Sequence, residues 1–129
     1  MSFNSVMVVD DDDAIREAVK EILEMEGYEV TTARNGAEAL DLLNRSPPPC
    51  VILLDLMMPV LNGWQFLEAK KKTAAIVALP VVVVSAVADH QREKDHGATQ
   101  IVRKPPDVDS LLKIVEHYCH AAAMAPKAA

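Results

Sequence analysis

Two runs of consecutive apolar residues, Val51-Ile52-Leu53-Leu54 and Val81-Val82-Val83-Val84, constrain this chain more than anything else in it. Neither alternates with polar residues, and both are short, so each reads as a strand covered on both faces. Strands of that kind belong to parallel sheets packed between helices. The first run also ends on a single carboxylate, Asp55, ahead of Leu56-Met57-Met58-Pro59. On this stretch alone, a turn or cap aspartate and a chemically active one are equally good readings.

The remainder of the chain supplies the helices. Ser5 to Val9 is a short apolar strand ending in Asp10-Asp11-Asp12-Asp13. A helix follows with Ile15, Ala18, Val19, Ile22 and Leu23 on one stripe, capped by Asp12 or Asp13 and closed at Gly27. Glu29 to Ala33 is a second strand. Asn35 and Glu38 have capping-box spacing for a helix through Leu40 and Leu43, which Pro47-Pro48-Pro49 terminates. After the Asp55 strand, Asn62-Gly63 opens a third helix carrying Phe66, Leu67 and Ala69. Pro80 introduces the strand that ends on Ser85, and a short helical stretch from about Asp89 to His96 closes at Gly97. Gln100 to Arg103 is a fifth strand leading into Lys104-Pro105-Pro106. Asp107 then caps an amphipathic helix with Leu111, Leu112, Val115 and Tyr118, and an alanine-rich tail, frayed at its end, begins at Ala121.

Strand and helix thus alternate five times, the pattern of an α/β fold: a doubly wound parallel sheet with helices on both sides. With 129 residues, the expected organisation is one domain, its core at about 5–119 and a tail over 120–129. In open sheets of this type, ligands bind beyond the carboxyl ends of the strands, where the strand order reverses. Asp10 and Asp11 end the first strand, Asp55 the third, Ser85 the fourth and Lys104 the fifth. All five fall at the same edge of the sheet.

Charge and composition narrow the function. A net charge of -6 argues against nucleic acid as a direct partner. The apolar runs are too short to cross a membrane, and no signal peptide opens the sequence, so a cytoplasmic domain is expected. Lys70-Lys71-Lys72 reads as a solvated helix end. Cys50 and Cys119 have no metal-ligand spacing and read as packed, reduced thiols. His117, Cys119 and His120 share no helical face well enough for a metal site.

Three carboxylates at one edge repel one another, by on the order of 4 kcal/mol per pair at ~4 Å and an effective dielectric near 20. A divalent cation offsets this, and hard oxygen ligands suit magnesium. Magnesium also serves phosphoryl transfer, in which an aspartate can be the nucleophile. A lysine and a hydroxyl complete such a site by balancing and hydrogen-bonding the phosphoryl oxygens.

The succession Val8-Val9-Asp10-Asp11, Leu53-Leu54-Asp55-Leu56-Met57-Met58-Pro59 with Asn62-Gly63, Val84-Ser85-Ala86 and Lys104-Pro105 resembles the receiver domain of two-component response regulators, over about Ser5 to Cys119. The resemblance implies a flavodoxin-like (βα)5 fold with strand order 2-1-3-4-5. It further implies that Asp55 accepts a phosphoryl group from a phosphohistidine on a sensor histidine kinase or a histidine phosphotransfer protein. Asp10, Asp11, Asp55 and the backbone carbonyl of Met57 would hold Mg2+, or Mn2+ in its place. Ser85 and Lys104 would contact the phosphoryl group, and the Lys104-Pro105 bond would be cis. Asp12 and Asp13 lie outside the matched pair and read as cap and first-turn residues. The domain would be a phosphoacceptor rather than a turnover enzyme, docking on a downstream protein target, with a homodimer compatible with this reading.

Three features depart from the family pattern. Ile101 stands where receivers often place Tyr or Phe, Pro106 stands where Phe is common, and Ser85 to Gly97 is short. Ile101 and Pro106 leave a phosphorylation-independent interaction domain as an alternative. A haloacid-dehalogenase-like phosphatase is a second alternative, weakened by Met57 where a second aspartate is usual. A stand-alone regulator and a fragment of a longer protein are both consistent with Met124-Ala125-Pro126-Lys127 after the last helix.

Overall fold

A computed structural model describes residues 4–55, 62–74, 76–85, 98–103 and 107–124. Five strands, β1 (Ser5–Val9), β2 (Glu29–Ala33), β3 (Val51–Leu54), β4 (Val81–Ser85) and β5 (Gln100–Arg103), form one sheet in the order β2-β1-β3-β4-β5. Every neighbouring pair is parallel. The expected fold class and strand order are therefore those observed. Four helices are described: α1 (Asp13–Met25), α2 (Gly36–Arg45), α3 (Gly63–Lys71) and α4 (Val108–Met124). The helical stretch expected between Asp89 and His96 lies outside the described residues.

Alternation along each strand splits the core in two. Met7, Val9, Ile52, Leu54, Val81 and Val83 point to one face, where Ala39 and Leu43 of α2 and Phe66 and Leu67 of α3 cover them. Val6, Val8, Val51, Leu53 and Val82 point to the other, under Leu23 of α1 and Leu111, Val115 and Cys119 of α4. This two-sided burial explains why β3 shows no polar alternation. All four of its side chains are buried, each worth about 1.5–3 kcal/mol relative to exposure.

Local chemistry sets the helix ends. Asp12 caps α1 by accepting the amide of Ile15 at 3.1 Å. A Schellman motif closes the same helix: Gly27 N donates to Glu24 O (3.0 Å) and Tyr28 N to Leu23 O (3.1 Å). Gly27 sits at φ 92°, in the left-handed region the motif requires. Asn35 caps α2 through Glu38 N, but the Glu38 carboxylate turns to the Arg34 amide, so only half of the expected capping box forms. Asn62 and Gln65 make the complete box at α3. Asp107 caps α4 through Ser110 N at 3.1 Å.

Several sequence expectations need correction. Ile15 is 41% exposed, and the inward face of α1 instead runs through Arg16, Val19 and Leu23 at i, i+3 and i+7. Lys70 is not solvated: it is 5% exposed, and its Nζ donates to Val77 O at 2.8 Å. That bond lets a cation serve as an anchor for the α3–β4 connection. Helix α4 continues through Met124, into the stretch read from the sequence as a tail.

The largest correction concerns the cysteines. Cys50 and Cys119 are packed, each 4% exposed, but they form a disulfide rather than two thiols. Cys50 immediately precedes β3, and Cys119 faces it from α4 with a Cα–Cα distance of 5.1 Å, within the range a bridge needs. The pairing was invisible in the sequence because it depends on α4 crossing the start of β3, 69 residues away. Cys50 Sγ also lies 3.0 Å from Ser5 O; a bridged sulfur has no proton to donate, so this becomes a hydrogen bond only in the dithiol.

Candidate phosphoacceptor and metal site

The chain reverses direction across the sheet between β1 and β3: β1 connects outward to β2, and the chain then returns past β1 to β3. Crevices at such switch points are where parallel sheets bind ligands. The register puts Val9 beside Leu54, and each ladder runs one residue further. Asp10 N donates to Ala33 O at 3.1 Å, and Asp55 N donates to Val9 O at 2.9 Å. Asp10 and Asp55 are thus adjacent strand extensions, each held in place by a backbone bond.

Carboxylate oxygens of Asp10, Asp11 and Asp55 all lie within 4.8 Å of one another. Asp10 and Asp55 are buried, 5% and 7% exposed, and Asp11 is exposed at the rim. The three predicted acidic residues therefore converge as the sequence implied. Asp10 Oδ1 accepts the amide of Asp12 at 2.9 Å, which folds the backbone from the strand into the cap of α1. Asp12 and Asp13 stand outside the cluster as cap and first-turn residues, as expected.

Arg16 is the component that the sequence reading missed. Its guanidinium is buried, donates from Nη1 to the carbonyl of Asp10 at 2.8 Å, and pairs through Nη2 with Asp13. It braces the backbone that presents Asp10 and places a fixed positive charge next to that segment. The signal was present, since Arg16 shares the i, i+3, i+7 face of Val19 and Leu23. An arginine on a core-facing stripe needs a polar partner there.

At the other side of the crevice, β4 and β5 run in register so that Ser85 aligns with Arg103. The backbone of Ser85 therefore reaches the same sheet edge as Asp55; its side chain, Met57 and Lys104 with the Lys104-Pro105 bond lie outside the described residues. Ile101 on β5 is partly buried and packs against the α2–α3 face of the core.

The donor set fits a hard divalent cation. Three carboxylates supply anionic oxygen ligands, with no nitrogen or sulfur donor among the described groups of the cluster. No described helix is long and apolar enough to cross a membrane.

Comparison with known proteins points the same way. Residues 6–116 match the response regulator receiver domain. The chain is 37% identical over 110 residues to the response regulator MprA of Mycobacterium sp. strain KMS, covering 83% of this chain and 46% of that protein. The chain thus spans just under half the length of that relative. It is 32% identical over 117 residues to the polar-differentiation response regulator DivK of Brucella anthropi, covering 88% of this chain and 94% of DivK. Among solved structures, the chemotaxis protein CheY4 of Vibrio cholerae superposes with a TM-score of 0.82 at 31% identity, over 91% of this chain and 99% of that one. With the acidic cluster at the switch point of a 2-1-3-4-5 sheet, these matches place the chain in the response regulator receiver family.

Proposed function

We propose that this receiver is the phosphoacceptor of a two-component phosphorelay, in which Asp55 takes a phosphoryl group from a phosphohistidine. The observation that carries this reading is the convergence of Asp10, Asp11 and Asp55 within 4.8 Å at the switch point. A carboxylate oxygen of Asp55 attacks phosphorus, the P–N bond to the donor imidazole breaks, and the imidazole leaves with its electron pair and takes up a proton. Asp10, Asp11 and Asp55, joined by the Met57 carbonyl, would hold Mg2+, with Mn2+ an acceptable substitute. The bound cation supplies neutralisation of the charge that builds on the phosphoryl oxygens. Ser85 would donate its hydroxyl to a phosphoryl oxygen and Lys104 would pair with another.

The Asp55 carboxylate is a weak nucleophile in water but a competent acceptor here, because backbone bonds hold it in place before the donor arrives. The module accepts and loses a phosphoryl group without turning over a separate substrate, so it acts as a switch rather than an enzyme. Its partners in this reading are a sensor histidine kinase or histidine phosphotransfer protein upstream and a protein target downstream. Nucleic acid is not a direct partner, its setting is cytoplasmic, and a homodimer is compatible with the fold. Because Ile101 carries no ring, readout in this reading does not pass through an aromatic rotation at that position.

Incubation with Mg2+ and a small acyl phosphate tests the reading. One phosphoryl group should appear in the intact mass, be lost on chelation of the cation before mixing, and be absent from Asp55→Ala. Equal labelling of Asp55→Ala would refute the assignment.

A further inference from the structure

The end of the sheet opposite the acidic cluster carries chemistry of its own. The Cys50–Cys119 bridge lies there, tying the residue before β3 to α4. Next to it opens an apolar cleft of about 250 Å³, lined by Pro49, Cys50, Leu79, Pro80, Tyr118 and Ala122 among others. Cys50 borders this cleft and Cys119 does not.

We infer that the Cys50–Cys119 bridge is a thiol–disulfide exchange site, entered by a small thiol through this cleft with Cys50 as the sulfur attacked. Exchange requires a thiolate to reach one sulfur of the bridge through a mixed-disulfide intermediate. A cleft of this size admits a low-molecular-weight thiol, and among the described residues that line it none carries an acidic side chain to repel a thiolate. The attacking thiolate bonds to Cys50 Sγ, the bridge breaks, and Cys119 leaves as a thiolate that takes up a proton. A second small thiol then attacks the mixed disulfide, releasing Cys50 as a thiol and the small-molecule disulfide as product. The released Cys50 thiol has an acceptor in place, Ser5 O at 3.0 Å, so the dithiol is also a satisfied state. Oxidation by a small disulfide runs the same steps in reverse.

The bridge closes a long stretch of chain, a separation of 69 residues, so opening it should release much unfolded-state entropy. The acidic cluster should be indifferent to this exchange. Cys50 and Asp55 sit at opposite ends of β3, roughly 16 Å apart at ~3.3 Å per strand residue.

The test uses the full chain, equilibrated with reduced or oxidised glutathione, then denatured and alkylated. Oxidised chain should show no alkylatable thiol, reduced chain two, and the midpoint of thermal unfolding should fall on the order of 10 °C on reduction. In native protein, Cys119→Ser should form a mixed disulfide with glutathione at Cys50 much faster than Cys50→Ser forms one at Cys119. Two alkylatable thiols after oxidation, a bridge that resists reduced glutathione in the folded protein, or equal rates in the two variants would overturn the inference. Acyl phosphate labelling of Asp55 should be the same in both redox forms. Loss of labelling in both would count against the phosphoacceptor reading and leave the exchange site standing.

Discussion

Asp10 and Asp55 meet because parallel pairing continues one residue past Val9 and Leu54, and Arg16 then holds Asp10 from behind. Arg16→Ala would leave the buried Asp10 carbonyl without this donor. It is expected to lower stability by about 2 kcal/mol, read as a lower urea midpoint with an unchanged slope. Lys70 gives a second residue-scale prediction. Burial pushes its pKa below the ordinary lysine value. Between the folded and unfolded pKa values the unfolded chain binds the extra proton, so stability from this group rises with pH across that window. Wild type should therefore gain on Lys70→Met as the pH is raised from neutral toward the ordinary lysine range. A stability difference independent of pH in thermal unfolding would show that burial imposes no such penalty.

At the scale of elements, most of the architecture was legible, because strand periods, proline stops and capping residues are local signals. The bounds of β1, β2, β4 and β5 agree with the sequence reading, and Asp12, Asn35, Asn62 and Asp107 cap the helices they were expected to cap. Gly27 is where a backbone requirement is clearest. A Cβ there would meet nothing within 4 Å, so Gly27→Ala tests the left-handed φ alone. The expected cost is about 1 kcal/mol, seen in chemical unfolding. What could not be read locally were contacts made by facing elements. Ile15 looked inward until the site drew Arg16 to the inner face, and Lys70 looked solvated because its acceptor, Val77 O, comes from the following loop. The Cys50–Cys119 pair required knowing where α4 crosses β3.

For the whole molecule, the sheet order gathers at one edge residues that are far apart in sequence, and the acidic part of the site was legible for that reason. Asp10, Asp11 and Asp55 follow from alternation and topology together, whereas the tie between α4 and β3 at the other end follows from neither. The cluster of like charges predicts a linkage to divalent cations. Mg2+ at about 100 times its dissociation constant should stabilise the fold by ~2.7 kcal/mol, and Asp11→Asn should flatten that rise in thermal unfolding. The central claim is that Asp55 itself carries the phosphoryl group, and chemical mapping tests it most directly. Protein treated with acyl phosphate and Mg2+ is reduced with borohydride, which converts an acyl phosphate to the alcohol, and its peptides are read by mass. The account predicts homoserine at position 55 and nowhere else; homoserine at position 10 or 11, or unmodified aspartate at 55 in phosphorylated protein, would contradict it.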